Sequence, residues 1–292
     1  MGENVSAIVS AIVSGVLIGC FYTIVGLGIS LIYGVMKVTN FAHGDFLMLG
    51  GYIAFLLYAS FNLNPFLSIP IAMATLFIIG LAVYEAVVRN LMKTRNPEES
   101  SLIALYGMSI SLSAFYFILC GADYRSIPYT LPVSSISILG TKFLTTWVLG
   151  SALSIAIALG LFQFLHRTYT GKAIRAVISN VDEARCSGID VNQVCRLAFA
   201  IGLAVAGVAG AMLPLFQQVI NPAGGIQYTV LAFMVACIGG LNNPLGVTIG
   251  GLFVGVCQSI SNFILPGYMW PLVLALIAII ILSIRPMGLL YR

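Results

Sequence analysis

The chain has 292 residues, 60% hydrophobic and only 8% charged, with a formal net charge of +4. Soluble domains carry about 25% charged residues, so this composition excludes an ordinary globular enzyme and describes an integral membrane protein. The basic excess lies in the connections between apolar runs, where it is a topology signal and not a nucleic-acid surface.

Nine hydrophobic segments follow in chain order, at about 6–34, 41–60, 65–88, 101–120, 143–165, 197–217, 228–241, 244–264 and 269–284. Apolar runs of this length read as spanning helices, because a helix satisfies its own backbone where lipid offers no partner. The short alternating strands of an outer-membrane barrel are not present in the pattern. The opening MGENVSAIVSAIVSG lacks a basic leader region, so it is expected to be the start of the first span. Lys and Arg cluster at Arg89, Lys93 and Arg95, from Arg167 to Arg196, and at Arg285 and Arg292. Those clusters are expected to be cytoplasmic, which with nine spans puts the N-terminus outside and the C-terminus inside. Arg125 and Lys142, beside Asp123, run against that rule. The stretch SIPYTLPVSSISILG between them reads as an external loop or short strand pair.

The first apolar run ends in NFAHGDF, which places Asn40, His43 and Asp45 within six positions. The residues alone leave two readings: a cytoplasmic turn, or a helix break at membrane depth that lines a path. An ionisable side chain near a span is a functional candidate, and equally a packed hydrogen-bonding group at a helix start. Sliding the chain by 181 residues aligns NFAHG (40–44) with NPAGG (221–225), both N-x-A-x-G, and also Gly26 with Gly207 and Val38 with Val219. In the nine-span arrangement the two copies follow helices of opposite direction. This predicts a 4+4 inverted repeat within one permease domain: residues 1–120, a linking span at 143–165, a cytoplasmic segment at 166–196, and a second repeat at 197–284. In each copy Asn would cap free N–H groups and glycine would let the backbone turn. Asn40, His43, Gly44, Asp45, Asn221 and Gly225 are therefore the candidate translocation-path residues.

The segment 166–196, HRTYTGKAIRAVISNVDEARCSGIDVNQVCR, holds five of the thirteen Lys and Arg. It divides into two short helical units, KAIRAVISN and DEARC, the second ended by Gly188. Alanine and isoleucine on those units point to a docking surface more than to a solvated loop. TGKA is no P-loop, because His166 stands where the first glycine belongs and Ala173 follows Lys172. With no zinc or serine-nucleophile motif either, the chain is expected to be no enzyme and to need no cofactor. The glycines of IGGLNNPLGVTIGGLFVGV and AVAGVAGAML read as close helix packing. The six scattered cysteines read as small packing residues.

NFAHGDFLMLGGY after LIYGVMKVT, then TGKAIRAVISNVDEARCSGIDV, then IGGLNNPLGVTIGGLFVG, together resemble the permease subunits of bacterial branched-chain amino acid ABC importers, the LivH class, over nearly the whole chain. The resemblance implies a multi-pass inner-membrane subunit, a second related permease, two ATP-binding cassette subunits and an extracytoplasmic solute-binding protein. It assigns ATPase coupling to Gly171, Arg175, Glu183, Ala184 and Gly188. Ala184 and Gly188 keep the A-x-x-x-G spacing of the coupling motif, although the stretch reads DEARCSG and not the fuller E-A-A form. Leu, Ile and Val are the family's default substrates. The rival from another class is an aquaporin-like channel built on N-x-A half-helices, to which NPA at 221–223 and NFA at 40–42 correspond. A secondary transporter with inverted repeats is a third reading.

Overall fold

The computed structural model describes residues 2–128, 134–138, 141–217, 219–285 and 288–289, with residues 2–6 and 138 as backbone only. The helices are α1 (Gly2–Met36), α2 (His43–Phe61), α3 (Pro65–Val83), α4 (Arg89–Leu91), α5 (Pro97–Cys120), α6 (Thr145–Arg167), α7 (Tyr169–Ser179), α8 (Val181–Cys186), α9 (Val191–Gln217), α10 (Gly225–Gly239), α11 (Pro244–Ile264) and α12 (Trp270–Ile284). Among the described residues eight helices are long and apolar enough to cross a membrane, and α12 is a shorter apolar helix of 15 residues. The ninth expected span is therefore the one that falls short of full length.

Helix starts follow local chemistry. Proline occupies the first turn of α3, α5, α11 and α12, where its missing N–H has no intrahelical acceptor to lose. Asn64 and Asn243 cap α3 and α11 by accepting from Phe66 N and Leu245 N. Residues Tyr84–Val88 form a single π turn between α3 and α4. There Glu85 meets Arg89 at 2.8 Å and Arg196 at 3.4 Å, joining the end of α3 to the start of α9.

The core is built on α9, whose most hydropathic window is 94% buried where the other spans range from 17% to 61%. α1 lies along α11, and α9 lies along α3. Both contacts are backbone-close. A Cβ on Gly255 would come within 2.4 Å of Gly15 O, and one on Gly207 within 2.8 Å of Leu76 Cγ. The glycine-rich stretches of α9 and α11 are thus packing surfaces, as expected, but those of α11 serve two neighbours: Gly250 turns to α10, and Gly251 to Thr23 of α1.

Among the described residues four short strands lie outside the helices. β1 (Arg125–Ser126) pairs antiparallel with β4 (Val219–Ile220), and β2 (Ser135–Ile138) with β3 (Thr141–Leu144). Of the stretch read as a loop or strand pair, Ser135–Ile138 forms β2, but its partner β3 begins just past it at Thr141, and Ser126 pairs instead with β4. Residues 129–133 and 139–140 of that stretch lie outside the described residues. All six cysteines are free, and only Cys186 is exposed.

Candidate functional site: two helix starts that cross

The stretch NFAHGDF lies back against the middle of α1 and not beyond its end. The imidazole Nε2 of His43 donates to the carbonyl of Val25 at 3.3 Å. Val25 lies about three turns back from Met36, roughly 16 Å at 1.5 Å per residue. Residues 37–42 therefore run back alongside α1 before α2 begins. Lys37 makes the reversal with φ 54, its ammonium donating to Asn242 Oδ1 at 3.1 Å. Thr39 N then donates to Ser101 Oγ at the start of α5.

Both N-x-A-x-G turns close the same way. His43 N bonds to Asn40 O at 3.3 Å, and Gly224 N bonds to Asn221 O at 3.1 Å. Their side chains differ. Asn40 Oδ1 accepts from Ala42 N at 3.2 Å, whereas Asn221 makes no side-chain cap, contrary to the capping role expected of it.

The two turns deliver helix starts that touch. Gly44 N donates to Thr229 Oγ1 at 2.8 Å, and that hydroxyl has Phe41 O at 3.0 Å and Gly225 O at 3.2 Å to donate to. A Cβ on Gly44 would lie 1.9 Å from Gly225 O, and one on Gly225 would lie 2.1 Å from Asp45 Oδ1. Only glycine fits at Gly44, where backbone blocks a side chain, and at Gly225 a side chain would displace the Asp45 carboxyl. Asp45 thus stands in the first turn of α2 and against the first residue of α10. Each helix start carries a partial positive charge, so one carboxylate answers two helix dipoles. Its Oδ2 accepts from Ser109 Oγ, and its backbone carbonyl from Tyr116 OH at 2.9 Å.

Of the six path candidates, five meet at this crossing and are enclosed by it. Asn40 and His43 are 0% exposed and Asp45 is 2% exposed, while Gly44 and Gly225 are buried backbone. Asn221 alone is partly exposed. As the chain stands, the cluster is a joint and lines no open surface. Asn40 Nδ2, His43 Nδ1 and Asn221 Oδ1 are buried atoms with no hydrogen-bond partner among the described residues.

Thr229, Ser109, Tyr116 and Ser101 are members of the joint that the sequence reading passed over. The three on α5 had a local signal: with Leu105 they are that helix's buried positions and fall at helical spacing along one face. Thr229 had none.

The segment 166–196 folds as the two expected helices. Thr168 caps α7 through Gly171 N, and a Cβ on Gly171 would strike Phe164 O at 2.2 Å. Arg175 Nε donates back to Leu165 O. Both residues hold the corner between α6 and α7. Asn180 caps α8, accepting from Asp182 N and Glu183 N, while its amide donates to Glu183 Oε1 at 2.8 Å. α8 then ends in a Schellman turn: Gly188 N bonds Arg185 O, Ile189 N bonds Ala184 O, and Gly188 sits at φ 82. Ala184 is buried, 3% exposed, and faces the core, so the surface offered outward is that of Tyr169, Lys172 and Gln193 around a groove of about 700 Å³ between α7 and α9.

No solved structure matches the chain. It is 28% identical to the high-affinity branched-chain amino acid transport system permease protein BraD of Pseudomonas aeruginosa, over 96% of this chain and 95% of that one. It is 28% identical to the LivH permease of Salmonella typhimurium over 100% and 98% of the two chains. To the probable LivH permease of Methanocaldococcus jannaschii it is 30% identical over 83% and 77%. The family model described as the permease component of branched-chain amino acid transport systems matches residues 11–282. The apolar helices make the chain a multi-pass inner-membrane protein and the match makes it a transport subunit, so the chain belongs to the family of branched-chain amino acid transport system permease components.

Proposed function

We propose that this chain is the permease subunit of an ATP-driven importer, moving branched-chain amino acids that a solute-binding protein delivers and that ATPase subunits on separate chains drive through. The observation that carries the reading is the family match over residues 11–282 together with a polar segment, 166–196, whose two capped helices hold a fixed shape. A rigid contact of that kind is what transmits motion from another chain. Gly171 and Arg175 set its corner, Glu183 and Gly188 set the ends of α8, and Ala184 anchors it to the core. A second permease of related fold, two ATP-binding cassette subunits and a binding protein complete the assembly.

The inverted repeat belongs to the same proposal. α1 pairs with α11 as α9 pairs with α3, and α2 and α10, the helices that follow α1 and α9, meet at their first residues. This exchange of partners supports two halves related by an axis through Gly44 and Gly225, while the Lys and Arg distribution supports an N-terminus outside and a cytoplasmic C-terminus. The path passes beside the crossing, and Asn40, His43, Gly44, Asp45, Asn221 and Gly225 hold its wall from behind.

The channel reading fits the two half-helix starts but needs them to line an opening, and they are buried against each other. Membrane vesicles decide the matter. Leucine, isoleucine and valine uptake is expected only with ATP, binding protein and co-purifying ATPase chains present together. Flux without ATP would favour a channel or secondary transporter.

A further inference from the structure

We propose that Arg125 is the group on this chain that receives the α-carboxylate of the amino acid at the outer mouth of the path. The inference rests on the permease reading and the orientation above, and it names what meets the charged end of the substrate.

Arg125 stands on the inward side of the β1 and β4 ladder. Successive residues of a strand face opposite ways. Arg125 pairs with Ile220, which is 0% exposed, whereas Ser126 pairs with Val219 and both of those are exposed. Ile127, two positions on from Arg125, is buried in the core. A basic side chain is thus aimed at an apolar interior, at the end of the molecule where the charge rule disfavours any basic residue.

Its surroundings hold it in place without neutralising it. Nη2 donates to Cys120 O at 2.8 Å, and the guanidinium lies over the Phe55 ring at 5.9 Å. Those contacts fall one turn beyond a pair of rings, Tyr52 and Tyr116, that lie 5.1 Å apart: Phe55 follows Tyr52 by three positions and Cys120 follows Tyr116 by four. Tyr116 OH in turn bonds Asp45 O at the crossing. Arg125 therefore tops a column that ends on the joint. Among the described residues no carboxylate pairs with it, and Asp123, two positions back, is exposed. Its Nε is enclosed without a partner, as is Tyr52 OH in the same column. A half-buried charge without a counter-charge is costly, so the arrangement calls for an anion.

The direction of the side chain selects which one. A lipid phosphate of the outer leaflet, or an acidic side chain of a docked protein, would be met by the outward face, that of Ser126 and Val219. An anion that reaches Arg125 has to come in past the ladder, by the Phe55 ring and the two isoleucines. A branched-chain amino acid suits that place, with a planar carboxylate for the guanidinium and an aliphatic chain for the walls.

The test uses the assembled transporter purified in detergent, without binding protein, and follows leucine binding by saturation-transfer NMR. Competition by 4-methylpentanoate, which keeps the carboxylate and lacks the amine, is expected, and none by leucinamide, which lacks the carboxylate. Arg125→Gln, first checked for an intact size-exclusion profile and co-purifying ATPase, is expected to weaken leucine binding by about ten- to a hundredfold, the worth of one charge-assisted hydrogen bond. Arg125→Lys is expected to recover part of it, and Lys142→Gln, at the other basic residue of this end, to change nothing. No leucine binding to the wild-type transporter would overturn the inference, as would leucinamide competing as well as leucine. So would an Arg125→Gln variant that binds leucine normally and loses only co-purifying phospholipid or only affinity for the binding protein. The permease reading fails separately: it falls if wild-type vesicles take up no branched-chain amino acid, whereas normal wild-type uptake beside unaltered leucine binding by Arg125→Gln sinks the Arg125 assignment alone.

Discussion

Gly44 and Gly225 occupy the same place in two turns 181 residues apart, and they are each other's neighbours, with the Gly225 carbonyl where a Cβ on Gly44 would lie. Matching positions that touch are what an axis through the joint requires. Overpacking a tight contact costs about 1–3 kcal/mol and occasionally more; at Gly44 the obstruction is backbone, which cannot rotate away, whereas at Gly225 it is the Asp45 carboxyl. Gly44→Ala is expected to abolish accumulation of folded protein, measured by size-exclusion profile after detergent extraction, and Gly225→Ala to lower it by displacing Asp45 from Ser109. Gly160→Ala, in the open middle of α6 with no atom within 4 Å of the new methyl, is expected to gain up to about 1 kcal/mol.

Asp45 is argued above to answer two helix dipoles. Asp45→Asn keeps an acceptor for Ser109 and removes the charge, so each helix start loses an interaction of about 0.3–1 kcal/mol, up to about 2 where shielded from water. The expected outcome is a lower unfolding temperature in detergent with uptake per folded molecule retained. Full thermal stability with lost uptake would instead make Asp45 a substrate contact.

Thr229 joins both starts through one hydroxyl. Thr229→Val preserves shape and leaves the buried Gly44 N–H without an acceptor, a loss of about 1–3 kcal/mol. Thr229→Ser keeps the oxygen and is expected to recover most of it. Thermal denaturation of the two variants side by side checks this, and equal stability would remove Thr229 from the joint.

On the cytoplasmic segment, Gly188 sits in the left-handed region, where a side chain costs about 1–2 kcal/mol. Gly188→Val is expected to unwind the end of α8 and reduce ATPase co-purification and ATP-dependent uptake together. Ala184→Trp acts differently, because Ala184 faces the core: it is expected to lower thermal stability as well. Tyr169→Ala, at a residue 92% exposed, is expected to weaken docking with stability unchanged.

Much of this architecture was legible along the chain. Hydropathy located the helices because lipid leaves the backbone no other choice, and α7 and α8 were visible because Asn180 and Gly188 are strong local stop and start signals. The joint was half legible. The echo of NFAHG and NPAGG marked its two backbones, but the bonds between them join residues 185 positions apart (Gly44 to Thr229) and 64 apart (Asp45 to Ser109), and no local pattern announces such pairings. The sequence left the polar residues of these turns between packed groups and path lining. Burial adds what no local pattern shows: in this structure the polarity closes a gap between helix starts.

The two-residue ladder of β1 with β4 joins Arg125 to Ile220 and Ser126 to Val219, directly ahead of the turn that starts α10. A strand pairing transmits pull along its length but has no freedom to slip by one residue without turning every side chain over. Arg125 also reaches back to Cys120 O and lies over the Phe55 ring, which fastens the ladder to the ends of α5 and α2. Whatever grips the loop after α5 therefore holds a short rigid handle whose other end is the first turn of α10.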